Sequence, residues 1–498
     1  MRKVILTMAM AAIMIAAGIA LLVSTSADSP PVTDWSFDSE TGTLTIMTDN
    51  GIASWRYIHT RADVLTVIIG DEVTSIPGSL FSNFGNLTTV TIGNGVTSIG
   101  NSAFLFCTSL TEITIPDSVT TIGQDAFAYC SSLNSLTIGN GVTTIGWQAF
   151  AYCTSLTEVT IGTGVEIIGE GAFAGCTSLT EITIPDNVTR IGYDRYEDAM
   201  EVETIGAFAG CTSLSTVVIG NGITSIFGTT FAGCTSLTEI TIPNSVTSIS
   251  GSAFARSGLT SITFPDSVTR IGSGAFNNCT SLTSVTIPNS VTRIGDSVFR
   301  GCTSLSEITI GNSVASIGMS AFADTGLTSI IIPDSVTSIA WGAFRDCESL
   351  TDVTFRLETP TIMYIGSDVF LNNTNLTTIY VPRGAKAAYE EIEQLSEYEI
   401  IETDPPITLP IDPCASCNLC TSPPADTKGR ILGEEEPSIF DVLEILKALV
   451  GMDGSIANCG NALNAALITP ESQASGTPTI FDVLEVLKYL VGMDSLVR

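Results

Sequence analysis

A unit of about 23 residues recurs along most of the chain, one copy reading CTSLTEITIPDSVTTIGQDAFAY from Cys107 to Tyr129. A unit this short cannot bury its apolar face alone, so it must stack on its neighbours, and repetition at this length predicts a solenoid. Counted from the leucine of the CTSL segment, units begin at Leu87, Leu110, Leu133, Leu156, Leu179, Leu214, Leu237, Leu259, Leu282, Leu305, Leu327 and Leu350. A degenerate unit precedes them near Leu65. Each contains L-x-x-I-x-I-P/G, whose alternation is that of a short half-buried strand. A turn such as PDS, PNS or GNG follows, then V-T-x-I-G, and A-F-x-x-C closes the unit. Stacked about 4.8 Å apart, the units would form a parallel β-sheet solenoid with Leu, Ile, Val and Phe in one continuous core.

Charge narrows the partners. Only 14% of the 498 residues are charged, yet acids outnumber bases 51 to 19, for a formal charge of −32. That balance argues against nucleic acid or an anionic membrane, both of which need clustered Lys and Arg. At the N-terminus, Arg2 and Lys3 precede an uncharged apolar run from Val4 to Val23, and small residues end at Ala27. Residues 1–27 read as a secretory signal peptide, which predicts a secreted protein with no integral span after cleavage. The run is also long enough to cross a bilayer, so an uncleaved anchor is the competing reading.

The repeats resemble the BspA-like leucine-rich repeats of secreted and surface proteins, from about Trp35 to Tyr398. WSFDSETGTLTI, from Trp35, resembles that family's N-terminal cap, and IYVPRGAKAAYEEI, from Ile379, its last strand and capping helix. The resemblance implies an N-terminal cap over 28–63, leucine-rich repeats over 64–378 and a C-terminal cap over 379–402. Caps are physically required, because an open solenoid end exposes both core and strand edge.

Residues that could carry chemistry fall mostly at repeat positions. Cys107, Cys130, Cys153, Cys176, Cys211, Cys234, Cys279, Cys302 and Cys347 share one slot, which Phe84, Ser257, Thr325 and Asn373 fill elsewhere. A slot that accepts Phe or Ser is a packing slot, so these cysteines read as buried free thiols behaving as small hydrophobes. Thr91, Thr114, Thr137, Thr160, Thr183, Thr241, Thr263, Thr286, Thr309 and Thr354 lie between the two isoleucines of the strand motif. They would form a hydroxyl row on the outer face of the sheet, suited to a protein or glycan, although threonine is also simply a good strand former. Glu112, Glu158, Glu181, Glu239 and Glu307 share a neighbouring position and read as a solvated acidic stripe. The single histidine, His59, lies in the cap segment and carries no catalytic motif with it. One insertion breaks the period: YDRYEDAMEVET follows Gly192, and Tyr193, Tyr196 and Glu197 in it are candidate partner contacts on a surface loop.

Beyond the repeats the composition changes. Residues 403–427 form a Pro-rich linker in which Cys414, Cys417 and Cys420 make C-x2-C-x2-C, three local ligands where a closed metal site needs four. Over 428–498 a second repeat appears: PSIFDVLEILKALVGMD from Pro437 matches PTIFDVLEVLKYLVGMD from Pro478 at 14 of 17 positions. Both read as amphipathic helices, with Gly451 and Gly492 placed to stop them. The tandem resembles the dockerin module, a small all-α domain in which duplicated loop–helix units bind calcium and present helix faces to a cohesin domain. That resemblance implies a cohesin-like partner, met by Val442, Leu446 and Lys447 and by Val483, Leu487 and Lys488. It also implies calcium ligands at Asp441 in one copy and at Glu471, Gln473, Ser475 and Asp482 in the other. The D-x-[DN]-x-[DN]-G signature is missing from both copies. Ser438 with Asp441, and Thr479 with Asp482, are alternatively spaced as capping boxes.

The sequence therefore predicts a non-enzymatic scaffold: a recognition solenoid joined to a dockerin-like attachment module. An accessory component of a polysaccharide-degrading complex, with glycan-processing activity of its own, is the alternative from another class. A stand-alone adhesin is a third.

Overall fold

The computed structural model describes residues 34–55, 61–192, 205–360 and 363–403. The N-terminal signal or anchor, His59, the insertion with Tyr193, Tyr196 and Glu197, the linker cysteines and the dockerin-like tandem lie outside the described residues.

Each repeat is one three-sided rung. The first side is the anticipated strand, as in Glu112–Ile115, Ser135–Ile138 and Glu158–Thr160. These pair in parallel, Glu112 beside Ser135 beside Glu158 and Thr114 beside Thr137 beside Thr160. Their burial alternates, so Ile113 and Ile115 enter the core while Glu112 and Thr114 face out. The second side is a two-residue strand made by V-T-x-I, as in Thr121–Ile122, Thr144–Ile145 and Ile167–Ile168. It too pairs in parallel from rung to rung.

The A-F-x-x-C segment turns the third corner and makes a ladder of its own. The amides of Ser102, Phe104 and Phe106 donate to the carbonyls of Gln124, Ala126 and Ala128 one rung on, at 2.7, 2.7 and 3.0 Å. The same pattern reaches Phe344 and Asp346, which donate to Val369 and Leu371 at 2.9 and 2.8 Å. Aiming alternate amides along the axis requires left-handed backbone at two positions per rung, such as Asp125 (φ 52°) and Tyr129 (φ 60°). Such angles cost an L-residue about 1–2 kcal/mol, and glycine takes the second position at Gly175, Gly210, Gly233 and Gly301.

Phenylalanines fill the centre. Phe104 stacks on Phe127 at 4.9 Å between ring centroids, and the column continues through Phe150, Phe173, Phe208 and Phe231 towards Phe370. Threonine hydroxyls tie the rungs from outside: Thr120 Oγ1 donates to the Thr97 carbonyl at 3.0 Å and Thr283 Oγ1 to that of Thr260 at 3.1 Å.

Both ends are capped. Trp35–Asp38 pairs antiparallel with Thr43–Thr48, which pairs parallel with Thr66–Glu72. The helix Asp49–Trp55 lays Ile52 and Trp55 over the open core, with the Trp55 ring 5.7 Å from Phe81. At the other end, the strand Thr378–Pro382 and the helix Lys386–Glu390 stand where the resemblance put them. The strand is not the last, however. Glu399–Thr403 pairs parallel beyond it, and Glu402 Oε1 accepts from the amides of Gly384 and Lys386 at 2.9 and 3.1 Å.

Truncating a mid-column ring removes contacts to two neighbours at once. Phe150→Ala should cost about 3–5 kcal/mol in urea unfolding, as for other buried aromatics, and Phe150→Leu less than half of that. A loss below about 1 kcal/mol for the alanine variant would contradict the central role of the column.

Candidate recognition face

The outer face of the long-strand sheet carries the threonine row. Thr91, Thr114, Thr137, Thr160, Thr183, Thr241, Thr263, Thr286 and Thr309 are exposed, and Thr354 is half-buried. Ile68, Val218 and Ile331 replace threonine in three rungs of the same row. Threonines in two other columns spend their hydroxyls on the preceding rung, as Thr97 and Thr143, and Thr157 and Thr351, do at 3.0–3.2 Å. Among the described residues, no hydroxyl of the outer row has a protein partner. Beside it, the glutamates are exposed but do not form an unbroken stripe, because Glu112 and Glu158 flank Ser135, and Glu307 follows Ser284.

This face is also where rung pairing lapses. The short strands run as uninterrupted sheets of six and seven, separated at the insertion after Gly192. The long strands break into groups of four, three, two, three and four. One rung between groups is unpaired on both sides: among the described residues, the backbone of Glu239–Ile242 makes no hydrogen bond to either neighbour. Its sequence, LTEITIP from Leu237, is identical to LTEITIP from Leu110 and from Leu179, where Glu112–Ile115 and Glu181–Ile184 are paired strands. Neighbours, not local sequence, decide pairing. The units from Leu237 to Leu259 and from Leu305 to Leu327 are each one residue short, with Ser-Gly or Thr-Gly replacing Cys-Thr-Ser. A break follows the long strand of each.

Two depressions sit over gaps between long strands. One, of about 540 Å3, spans three rungs and is lined by Ser215, Thr216, Val217, Glu239, Ile240, Thr241, Ile242, Asn244, Ser261, Thr263 and Pro265. The other, of about 550 Å3, lies over the break between Glu158–Thr160 and Glu181–Ile184, lined by Val159, Thr160, Ile161, Thr163, Thr183, Pro185, Asp186 and Asn187. Outer-row threonines line both.

The cysteine column is buried and unbridged, as the packing reading requires. It is more than apolar filler. Each thiol donates to the phenylalanine carbonyl of the preceding rung, Cys107 to Phe81 at 3.2 Å and Cys153 to Phe127 at 3.2 Å. Polar residues substitute because hydrogen bonds are available there: Asn373 Nδ2 donates to the same acceptor, the Phe344 carbonyl, at 2.9 Å, while Ser257 Oγ meets Cys279 Sγ of the next rung at 3.3 Å. Burial pushes the Cys153 and Cys211 thiols from an ordinary 9.0 up to about 12. Thiols held protonated are poor nucleophiles.

One surface feature is not announced by the repeat consensus. Phe106, Tyr129 and Tyr152 precede cysteines, adopt left-handed backbone, and stack at 4.7 and 4.8 Å with 38–40% of each residue exposed. Tyr152 lies over Gly175, where a Cβ would stand 2.6 Å from its ring. The signal was visible as three aromatics one repeat apart, at a position that four later rungs give to glycine and the others to Arg, Asn or Asp.

Among the described residues there is no cluster of three or more His, Cys, Asp or Glu able to hold a metal, and no helix long and apolar enough to cross a membrane. Parallel rungs, a leucine–isoleucine–phenylalanine core and two caps define the class: a leucine-rich-repeat solenoid. Residues 74–203, 203–294 and 269–392 match the BspA type leucine rich repeat region, and the chain belongs to that family. It is similar to a leucine-rich repeat protein from Bacteroides ovatus, at 27% identity over 76% of this chain and 100% of the other, with a TM-score of 0.55. A leucine rich cell surface protein from Faecalibacterium prausnitzii is 28% identical over 74% and 99%, with a TM-score of 0.37. No curated protein matches the chain.

The raised thiol values have a pH consequence. Between about pH 9 and pH 12 the unfolded chain releases thiol protons that the folded chain keeps, so stability falls as pH rises through that window and is fully present below it. The urea midpoint should therefore drop between about pH 8 and pH 10.5, and less so in a Cys153→Ala, Cys211→Ala variant. In native protein the array cysteines should resist iodoacetamide and react once urea is added. Rapid native labelling of these sites would contradict their burial.

Proposed function

We propose that the chain is a secreted or cell-surface recognition scaffold. The outer face of its long-strand sheet engages a macromolecular partner, and residues 428–498 attach it to a cohesin-like protein. The observation that carries the first half is the row of threonine hydroxyls without protein partners among the described residues, beside threonine columns, those of Thr97 and Thr157, that bond from rung to rung. Extended faces of this kind are how repeat proteins present large binding surfaces. The acidic balance, −32 overall, keeps nucleic acid and anionic lipid out of consideration. The signal-like N-terminus and the family's habit of secretion support the location.

Attachment rests on the tandem PSIFDVLEILKALVGMD and PTIFDVLEVLKYLVGMD. Val442, Leu446, Lys447, Val483, Leu487 and Lys488 would form the docking faces. Calcium is a secondary feature of this reading, carried by Asp482 with Glu471, Gln473 and Ser475 in the second copy, while Asp441 in the first serves a helix cap. Burying helix faces against a partner supplies the affinity, so chelation should matter little.

Full-length protein and a chain ending at residue 427 can be compared for retention by secreted and surface proteins of the producing organism, with and without EGTA. Full-length protein should be retained through a cohesin-like partner, and EGTA should not release it. Equal retention of the truncated chain would remove the attachment half of the proposal.

A further inference from the structure

Resting on that reading of the long-strand face, we infer that the two depressions form one subsite array for a neutral, linear oligosaccharide lying across the rungs.

Three observations converge on a polyol. The depression spanning three rungs offers donors and acceptors together: the hydroxyls of Thr216, Thr241, Ser261 and Thr263, and the unpaired backbone of Glu239–Ile242. A protein segment anchors instead by filling a dry pocket with an aromatic, aliphatic or Arg side chain. The floor here gives only strips of Val217, Ile240, Ile242 and Pro265 between polar walls. Strips of that kind suit the C–H edges of pyranose rings, and the hydroxyl walls suit their oxygens. Each volume, about 540 and 550 Å3, lies within the range of small-ligand sites.

Charge narrows the sugar. Neither depression is lined by Lys, Arg or His, while Glu239 stands in one and Asp186 in the other. Sulfated, phosphorylated and uronic-acid chains would meet carboxylates with no compensating cation. Asp186 is already engaged, accepting from the Asn221 amide at 2.8 Å. Glu239 has no protein partner among the described residues, which leaves its carboxylate able to accept from two neighbouring sugar hydroxyls, a charge-assisted pair.

Alignment selects a chain over a single sugar. Outer-row threonines, Thr160 and Thr183 in one depression and Thr241 and Thr263 in the other, place both on one face of one row. An extended, equatorially linked pyranose chain presents hydroxyls along both edges and could occupy both at once. Affinity should then rise with chain length, because the second site is met at high effective concentration.

The test is calorimetric titration of full-length protein with cellohexaose, xylohexaose, mannohexaose and maltohexaose, and with the disaccharide of any that bind. At least one hexaose should bind saturably, and its disaccharide about tenfold or more weaker. Thr241→Val and Thr263→Val keep shape and strand propensity while removing one hydroxyl each, and should weaken binding about 3- to 10-fold. Thr137→Val, on the same row outside both depressions, should leave it unchanged, and unaltered melting of all three variants checks their folding. No saturable binding by any hexaose would overturn the inference. So would binding that Thr137→Val weakens as much as Thr241→Val. In either case, partner capture abolished by Thr241→Arg would still support recognition by the face, so the two failures are distinguishable.

Discussion

Hydrogen bonding from rung to rung is the interaction on which the rest depends. No rung has a core of its own; each borrows its neighbours' Phe, Leu and Ile. What fixes the distance at which those side chains meet is the backbone pairing of the short strands and of the left-handed turns. Once spacing is set on those two sides, columns follow: rings over rings, thiols under carbonyls, threonine hydroxyls under threonine carbonyls. Strained backbone at Asp125 or Tyr129 persists because the amides it aims are satisfied one rung away. A buried amide left unpaired would cost about as much as the strain or more.

Two sides cannot dictate the third completely. The long strands carry the strongest strand signal in the sequence, yet it is their sheet that falls into five groups. Two of the lapses follow units one residue short, Leu237 to Leu259 and Leu305 to Leu327, while others, as between Glu158–Thr160 and Glu181–Ile184, fall between full-length units. The surface freed in this way is polar, hydroxyl-rich and formed by several rungs. Order on two sides and lapses on the third thus give a rigid frame with an irregular face, which is what recognition by a repeat protein requires.

Much of this was legible in the residues. The alternation in L-x-x-I-x-I announced the strand and its buried face, and a slot shared by Cys, Ser, Thr and Asn announced buried, unbridged thiols. The V-T-x-I strand was not legible, since two residues are too few for a period. The turn ladder escaped because left-handed backbone is readable only where Gly or Asn marks it, and Phe106, Tyr129 and Tyr152 do not. Glu399–Thr403 escaped because it lies past the last unit and matches no repeat position. The unpaired rung could not have been read at all, because LTEITIP occurs three times and is a paired strand in two of them.

Those three copies make the sharpest measurement, because sequence is held constant and only neighbours differ. Hydrogen exchange of the full-length protein should show the amides of Glu239–Ile242 exchanging at least about tenfold faster than those amides of Glu112–Ile115 and Glu181–Ile184 that point toward their paired neighbours, Ser135–Ile138 and Thr216–Ile219. Equal protection across all three would contradict the account, since rung pairing would then be uniform and the long-strand face would have no lapse to offer a ligand.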